Sequence, residues 1–101
     1  MALTHDQAIE VAVYVLHHSG EDRRITSGEI MNRAVEPALR AHWLQKGIEL
    51  PWDPAEDRQG FAQALTHRLK HHVSQTPAAE RVVEGSAEQG WALGPGARRR
   101  P

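Results

Sequence analysis

The sequence predicts a mostly α domain finished by a small β-hairpin, and three observations carry that expectation. Helix starts are marked at Thr4, Thr26 and Asp53, the first two by S/T-x-x-E/Q capping boxes and the third by a proline at the first helical position, with apolar residues at helical spacing after each. Near the end, Arg81-Val-Val-Glu84 and Gly90-Trp-Ala-Leu93 read as short strands around a loose Gly85-Ser-Ala-Glu-Gln89 tip. With 101 residues the chain supports one modest core, which all these elements must share.

The box Thr4-His-Asp-Gln7 heads a helix running to about His18 and ended by Ser19-Gly20. Ala8, Ile9, Val11, Ala12, Val13, Val15 and Leu16 cover well over half its circumference. Such a helix is buried on more than one side, at the centre of the domain or partly in a dimer contact. Glu10, Tyr14 and His18 form its narrow polar edge, expected to face solvent.

After the polar turn Glu21-Asp-Arg-Arg24, Arg24-Ile25-Thr26 is a candidate brief strand and Thr26-Ser-Gly-Glu29 the second box. A helix starting near Ser27 carries Ile30, Met31, Ala34 and Val35 as its apolar stripe. Pro37 ends or kinks it, because proline lacks an amide donor and crowds the preceding turn. From Ala38 to Gln45, Leu39, Trp43 and Leu44 recur at helical spacing in a kinked continuation or a separate short helix, with Trp43 as a core or interface residue. Gly47 to Trp52 is a connector stiffened by Pro51, and Trp52 is expected to close over the core edge.

Asp53 as N-cap, Pro54 at the first helical position and Glu56 in the capping-box position start the most legible helix, 54–75. Phe61, Ala62, Leu65, Leu69 and Val73 form its buried stripe, while Gln63, His67, Lys70, His71 and Ser74 fall on the other side. Between Gln59 and Gln75 there is no carboxylate. The outward set of amide, imidazole, ammonium and hydroxyl groups suits phosphate oxygens and base edges. Gly60 costs about 1 kcal/mol relative to alanine, which fits a close backbone contact or a turn facing a phosphate.

Charge follows the same division. Met1 to Asp57 has ten acidic residues against five Lys plus Arg, a net of −5; Arg58 to Pro101 has three against seven, a net of +4. An anionic partner is therefore expected on the second half. Seven histidines add positive charge as pH falls toward their range. There is no cysteine, which removes disulfides, thiol chemistry and thiolate metal sites. No apolar run approaches a membrane span and no export signal opens the chain, so the expected setting is cytoplasmic.

Helix, short strand, helix, helix and hairpin is the element order of a winged helix-turn-helix, with three or four helices and a two- to three-stranded antiparallel wing. On this reading 1–94 are the winged-helix domain and 95–101, Pro-Gly-Ala-Arg-Arg-Arg-Pro, a flexible basic tail. Trp91 and Leu93 point the same way, onto the helices. Phe61-Ala-Gln-Ala-Leu-Thr-His-Arg-Leu-Lys-His-His-Val-Ser-Gln75 followed by Gly90-Trp-Ala-Leu93 resembles the amino-terminal winged-helix domain of Mrr-type restriction proteins, the Arg68-Leu69-Lys70 run and the Gly90–Leu93 ending being its most specific parts. The resemblance implies duplex DNA binding, with nuclease activity residing in a separate domain.

The expected function is double-stranded DNA binding through helix 54–75, as a transcriptional regulator or the recognition domain of a DNA-processing system. Gln63, His67, Lys70, His71 and Ser74 face the groove, and Arg58, Arg68 and Arg81 contact phosphates. Glu84 and Glu88 beside the wing tip repel phosphate. The alternative is a protein-contact module using the apolar first helix or Trp43. A homodimer through the first helix is a possible further partner. His67 and His71, one turn apart, have metal-ligand spacing, and a third ligand would have to come from His72, His42 or a carboxylate. Without HExxH, a nucleophile elbow or a phosphate loop, neither enzyme activity, cofactor nor small-molecule substrate is expected.

Overall fold

The computed structural model describes residues 3–19, 24–50, 52 and 58–98. Among these, local chemistry sets where each helix begins and ends. In α1 (His5–Ser19) both arms of the capping box form: Gln7 N–H donates to Thr4 Oγ1 at 3.1 Å, and Thr4 N–H donates to Gln7 Oε1 at 3.2 Å. In α2 (Ser27–Ala34) only the forward arm forms, from Glu29 N–H to Thr26 Oγ1 at 3.2 Å. The Glu29 carboxylate turns instead to Arg33, 3.5 Å away. Pro37 separates α2 from α3 (Pro37–Gln45), taking the first helical position where its missing donor costs nothing.

Gly47, at φ 72°, closes α3 in a Schellman turn, with Gly47 N–H to Leu44 O at 3.1 Å and Ile48 N–H to Trp43 O at 2.9 Å. That turn drives Ile48 and then Leu50 into the core. Leu44, expected on the apolar stripe, is instead half exposed at 50 %. Trp43 takes the inward position near the end of α3, and Leu44, about 100° further round the helix, falls on its open side there.

α4 (Arg58–Gln75) continues through a 3-10 turn (Ala78–Glu80) into the antiparallel hairpin β1 (Val83–Ser86) and β2 (Gly90–Leu93), then α5 (Pro95–Arg98). The start signals at Asp53–Glu56 lie outside the described residues. In the hairpin Val83 pairs with Leu93, Glu84 with Ala92, Gly85 with Trp91 and Ser86 with Gly90. Strand β1 thus begins two residues later than Arg81, because the backbone of Arg81 and Val82 is also committed elsewhere. Val82 N–H goes to His72 Nε2 at 3.2 Å, and the Arg81 carbonyl accepts from Gly96 N–H at 2.8 Å. The brief strand expected at residue 24 reduces to Ile25, which exchanges two backbone bonds with Trp91, at 3.0 and 2.7 Å.

The first helix lies at the centre, packed against α2, α4 and both strands. Ala8, Val11, Ala12, Val15 and Leu16 are buried. They meet Ile30 and Met31 of α2, Trp43 of α3, Leu65 and Leu69 of α4, and Val83, Trp91 and Leu93 of the hairpin in one cluster. Trp91 and Leu93 both enter this core, as alternation along the strand predicted. Both fully buried indoles are satisfied: Trp43 Nε1–H donates to Ala34 O and Trp91 Nε1–H to Ser27 Oγ, each at 2.8 Å. Trp52 is half-buried against the core, with the Arg40 guanidinium 5.5 Å from its ring.

Two sequence expectations change. Tyr14, expected on a solvated edge, is half-buried and stacked between His18 and His42, each ring 4.3 Å from its own. Residues 95–98, expected as the start of a basic tail, form α5, and Ala97 packs against the core. The cause is backbone proximity: Gly94 N–H donates to Val82 O at 2.9 Å, and a Cβ on Gly94 would overlap the Arg81 carbonyl. Glycine thus permits a docking that the segment's weak apolar content did not suggest.

Candidate nucleic-acid interface

On α4, periodicity separates an anchoring stripe from an open one. Leu65 and Leu69 are fully buried, with Phe61, Ala62 and Val73 half-buried beside them, as the 3.6-residue pattern predicted. Gln63, His67, Lys70, His71 and Ser74 are all exposed. They face outward, with His71 touched at its edge by His5 of α1, and no carboxylate interrupts them.

A polar junction holds the helix in place as well. Ser27, the buried polar residue at the start of α2, accepts from Trp91 Nε1–H of β2 and is hydrogen-bonded to the Thr66 hydroxyl of α4. Thr66 Oγ1 also reaches Ala62 O at 3.0 Å. Each hydroxyl has one proton, so the chain is saturated when Trp91 donates to Ser27, Ser27 to Thr66 and Thr66 to the Ala62 carbonyl. Three elements are fixed to one another by this junction. Sequence reasoning did not single out Ser27, although a signal existed: it stands three, four and seven residues before Ile30, Met31 and Ala34, on the same apolar stripe.

The arginines divide differently from the helix face. Arg58, Arg68 and Arg81 are half-buried. Arg58 Nη2 donates to Trp52 O at 3.4 Å, and Arg81 Nε donates to Thr76 O at 2.9 Å, capping the chain just beyond α4. Part of each guanidinium thus serves the fold. Ser74 Oγ donates to His71 O at 3.0 Å, which orients the hydroxyl along the helix. Of the wing-tip carboxylates, Glu84 is half-buried and Glu88 exposed.

The histidines fall into two groups. His71 meets His5 of α1 edge-on, with ring centroids 5.5 Å apart, and His72 lies 6.3 Å from the same ring. His72 is half-buried; Nε2 accepts from Val82 N–H and Nδ1 lies 3.4 Å from Thr76 Oγ1, the tautomer with the proton on Nδ1 fitting both. Burial, followed by the nearby His5 and Arg81, holds its pKa below the ordinary value. His42, considered as a ligand with His67 and His71, is instead stacked on Tyr14 and edge-on to Trp43. Among the described residues no group of three His, Asp or Glu side chains is arranged to hold a metal ion. Nor is any helix there long and apolar enough to cross a membrane.

Away from α4, a trough of about 540 Å³ runs along the open strip of α1. Ile9 and Val13 of α1 line it together with His42, Lys46, Val82 and Ala97.

Family models, curated proteins and solved structures gave no match to this chain.

Proposed function

We propose that the chain is a winged helix-turn-helix domain that binds double-stranded DNA through α4, as a transcriptional regulator or the recognition part of a DNA-processing system. The observation that carries the reading is the exposed, carboxylate-free side of α4, held on the core by Leu65, Leu69 and the Thr66–Ser27 contact. A helix anchored this way loses little conformational freedom on docking, and its amide, imidazole and ammonium groups match the acceptors of the major groove and the phosphates. Gln63, His67, Lys70, His71 and Ser74 meet the groove, while Arg58, Arg68 and Arg81 add charge at its edges. The residues from Arg58 onward carry the positive half of the chain, which favours the same face.

The hairpin contributes less than a basic wing would, since Glu84 and Glu88 disfavour phosphate there. Fluorescence anisotropy with mixed-sequence duplex DNA at two salt concentrations tests the reading. Wild type is expected to weaken as salt rises, and an Arg68→Ala/Lys70→Ala variant to bind more weakly with a shallower salt slope. An unchanged slope and affinity in that variant rejects the assignment of this face. A protein-contact module is the second reading, favoured by the trough along α1; weak binding to DNA that ignores salt supports it.

A further inference from the structure

The most covered helix of the fold still has one strip that its own chain leaves half open. On α1, Ile9 and Val13 stand one turn apart in the trough, with Tyr14 beside them. β-Branched side chains at i, i+4 spacing form a ridge of the kind that a second helix packs against. Polar groups flank this ridge at both ends: His5, Asp6 and Glu10 toward the amino end, and His17 and His18 toward the carboxyl end. Glu10 is paired with Lys46 at 3.6 Å, whereas Asp6 has no ion-pair partner among the described residues.

We propose that this strip is a self-association surface, on which two copies of the chain dock their α1 helices antiparallel about a two-fold axis near Val11–Ala12. Three features select a second copy as the occupant. In that arrangement Ile9 and Val13 meet the same pair from the other copy, so one apolar ridge serves both partners and association closes at two. Asp6 then faces the partner's His17, an acceptor against an imidazole donor, where a parallel arrangement would set Asp6 against Asp6. Antiparallel docking also places the positive end of each helix dipole beside the negative end of the other. Val82 and Ala97 extend the apolar contact beyond the helix itself.

Sedimentation velocity on the full chain, from about 1 to about 100 µM, tests the proposal across the range where a micromolar dimer dissociates. Wild type is expected to pass from monomer to dimer, and Val13→Glu to stay monomeric while keeping its circular dichroism spectrum and unfolding midpoint. Orientation is read separately, because the chain has no cysteine of its own. When Asp6→Cys and His17→Cys proteins are mixed and mildly oxidised, the antiparallel dimer gives chiefly the mixed 6–17 cross-link. A wild type that remains monomeric throughout, a Val13→Glu protein that still dimerises, or cross-links dominated by 6–6 overturns the proposal. Should Val13→Glu fail to fold, the cross-linking pair decides alone. None of these substitutions touches α4, so the outcome is independent of DNA binding.

Discussion

The two long helices, α1 and α4, use similar lengths for opposite ends. α1 has 15 residues, five of them fully buried; α4 has 18, and only Leu65 and Leu69 are fully buried. The difference comes from what surrounds each. α1 meets helices and strands on several sides, so most of its circumference must be apolar and closely matched to its neighbours. α4 is fastened along one stripe, by the Ser27–Thr66 junction and by the His72–Val82 bond, which leaves the other side to exposed polar groups. A helix that presents a surface therefore needs few anchors, provided they are strong.

The largest expected effects test those anchors directly. Leu16→Ala in α1 and Leu69→Ala in α4 each remove a fully buried side chain and should cost about 2–5 kcal/mol in urea unfolding. If Leu69→Ala costs far less than Leu16→Ala, α4 is more loosely fastened than its burial indicates, and the comparison fails.

Next in size is the polar junction. Ser27→Ala removes the acceptor of the buried Trp91 N–H and the partner of Thr66, for an expected loss of about 1–3 kcal/mol. A loss no greater than that of an exposed serine such as Ser74→Ala would mean that the junction does not hold α4.

The smallest effect is a pH dependence at the carboxyl end of α4. The folded protein holds His72 below its ordinary pKa of 6.5, chiefly by burial, with His5 and Arg81 adding to it. Between that lowered value and 6.5 the unfolded chain binds more protons than the folded one, so stability from this group rises with pH across the window. It is complete above 6.5, declines as pH falls through 6.5, and levels off below the folded value. Unfolding of wild type and His72→Gln measured from pH 8 to pH 5 should show the variant losing less stability on acidification. Equal losses would place the titration elsewhere.

The helix starts were legible because they depend on residues three or four apart: the Thr4–Gln7 box, the Thr26 cap and Pro37 form within a single turn of chain. The two stripes of α4 were legible for the same reason, since helical geometry alone decides which residues share a side. By contrast, the His72–Val82 bond, the Tyr14 stack and the docking of α5 were hidden. His72 read as a candidate third metal ligand, Tyr14 as an exposed residue and residues 95–98 as a tail, because their partners are set by how the elements come together.

By itself, then, the sequence determined that the chain carries helices at α1 to α4 and a hairpin near its end, and which side of α4 is polar and free of acid. Tertiary structure alone decided that Ser27 joins three elements, that His5 reaches His71, and that α1 keeps one strip half open. The physical reason is distance along the chain. Ser27 and Trp91 are 64 residues apart, and no local propensity or periodicity reports on a bond between groups that only the packed core brings together.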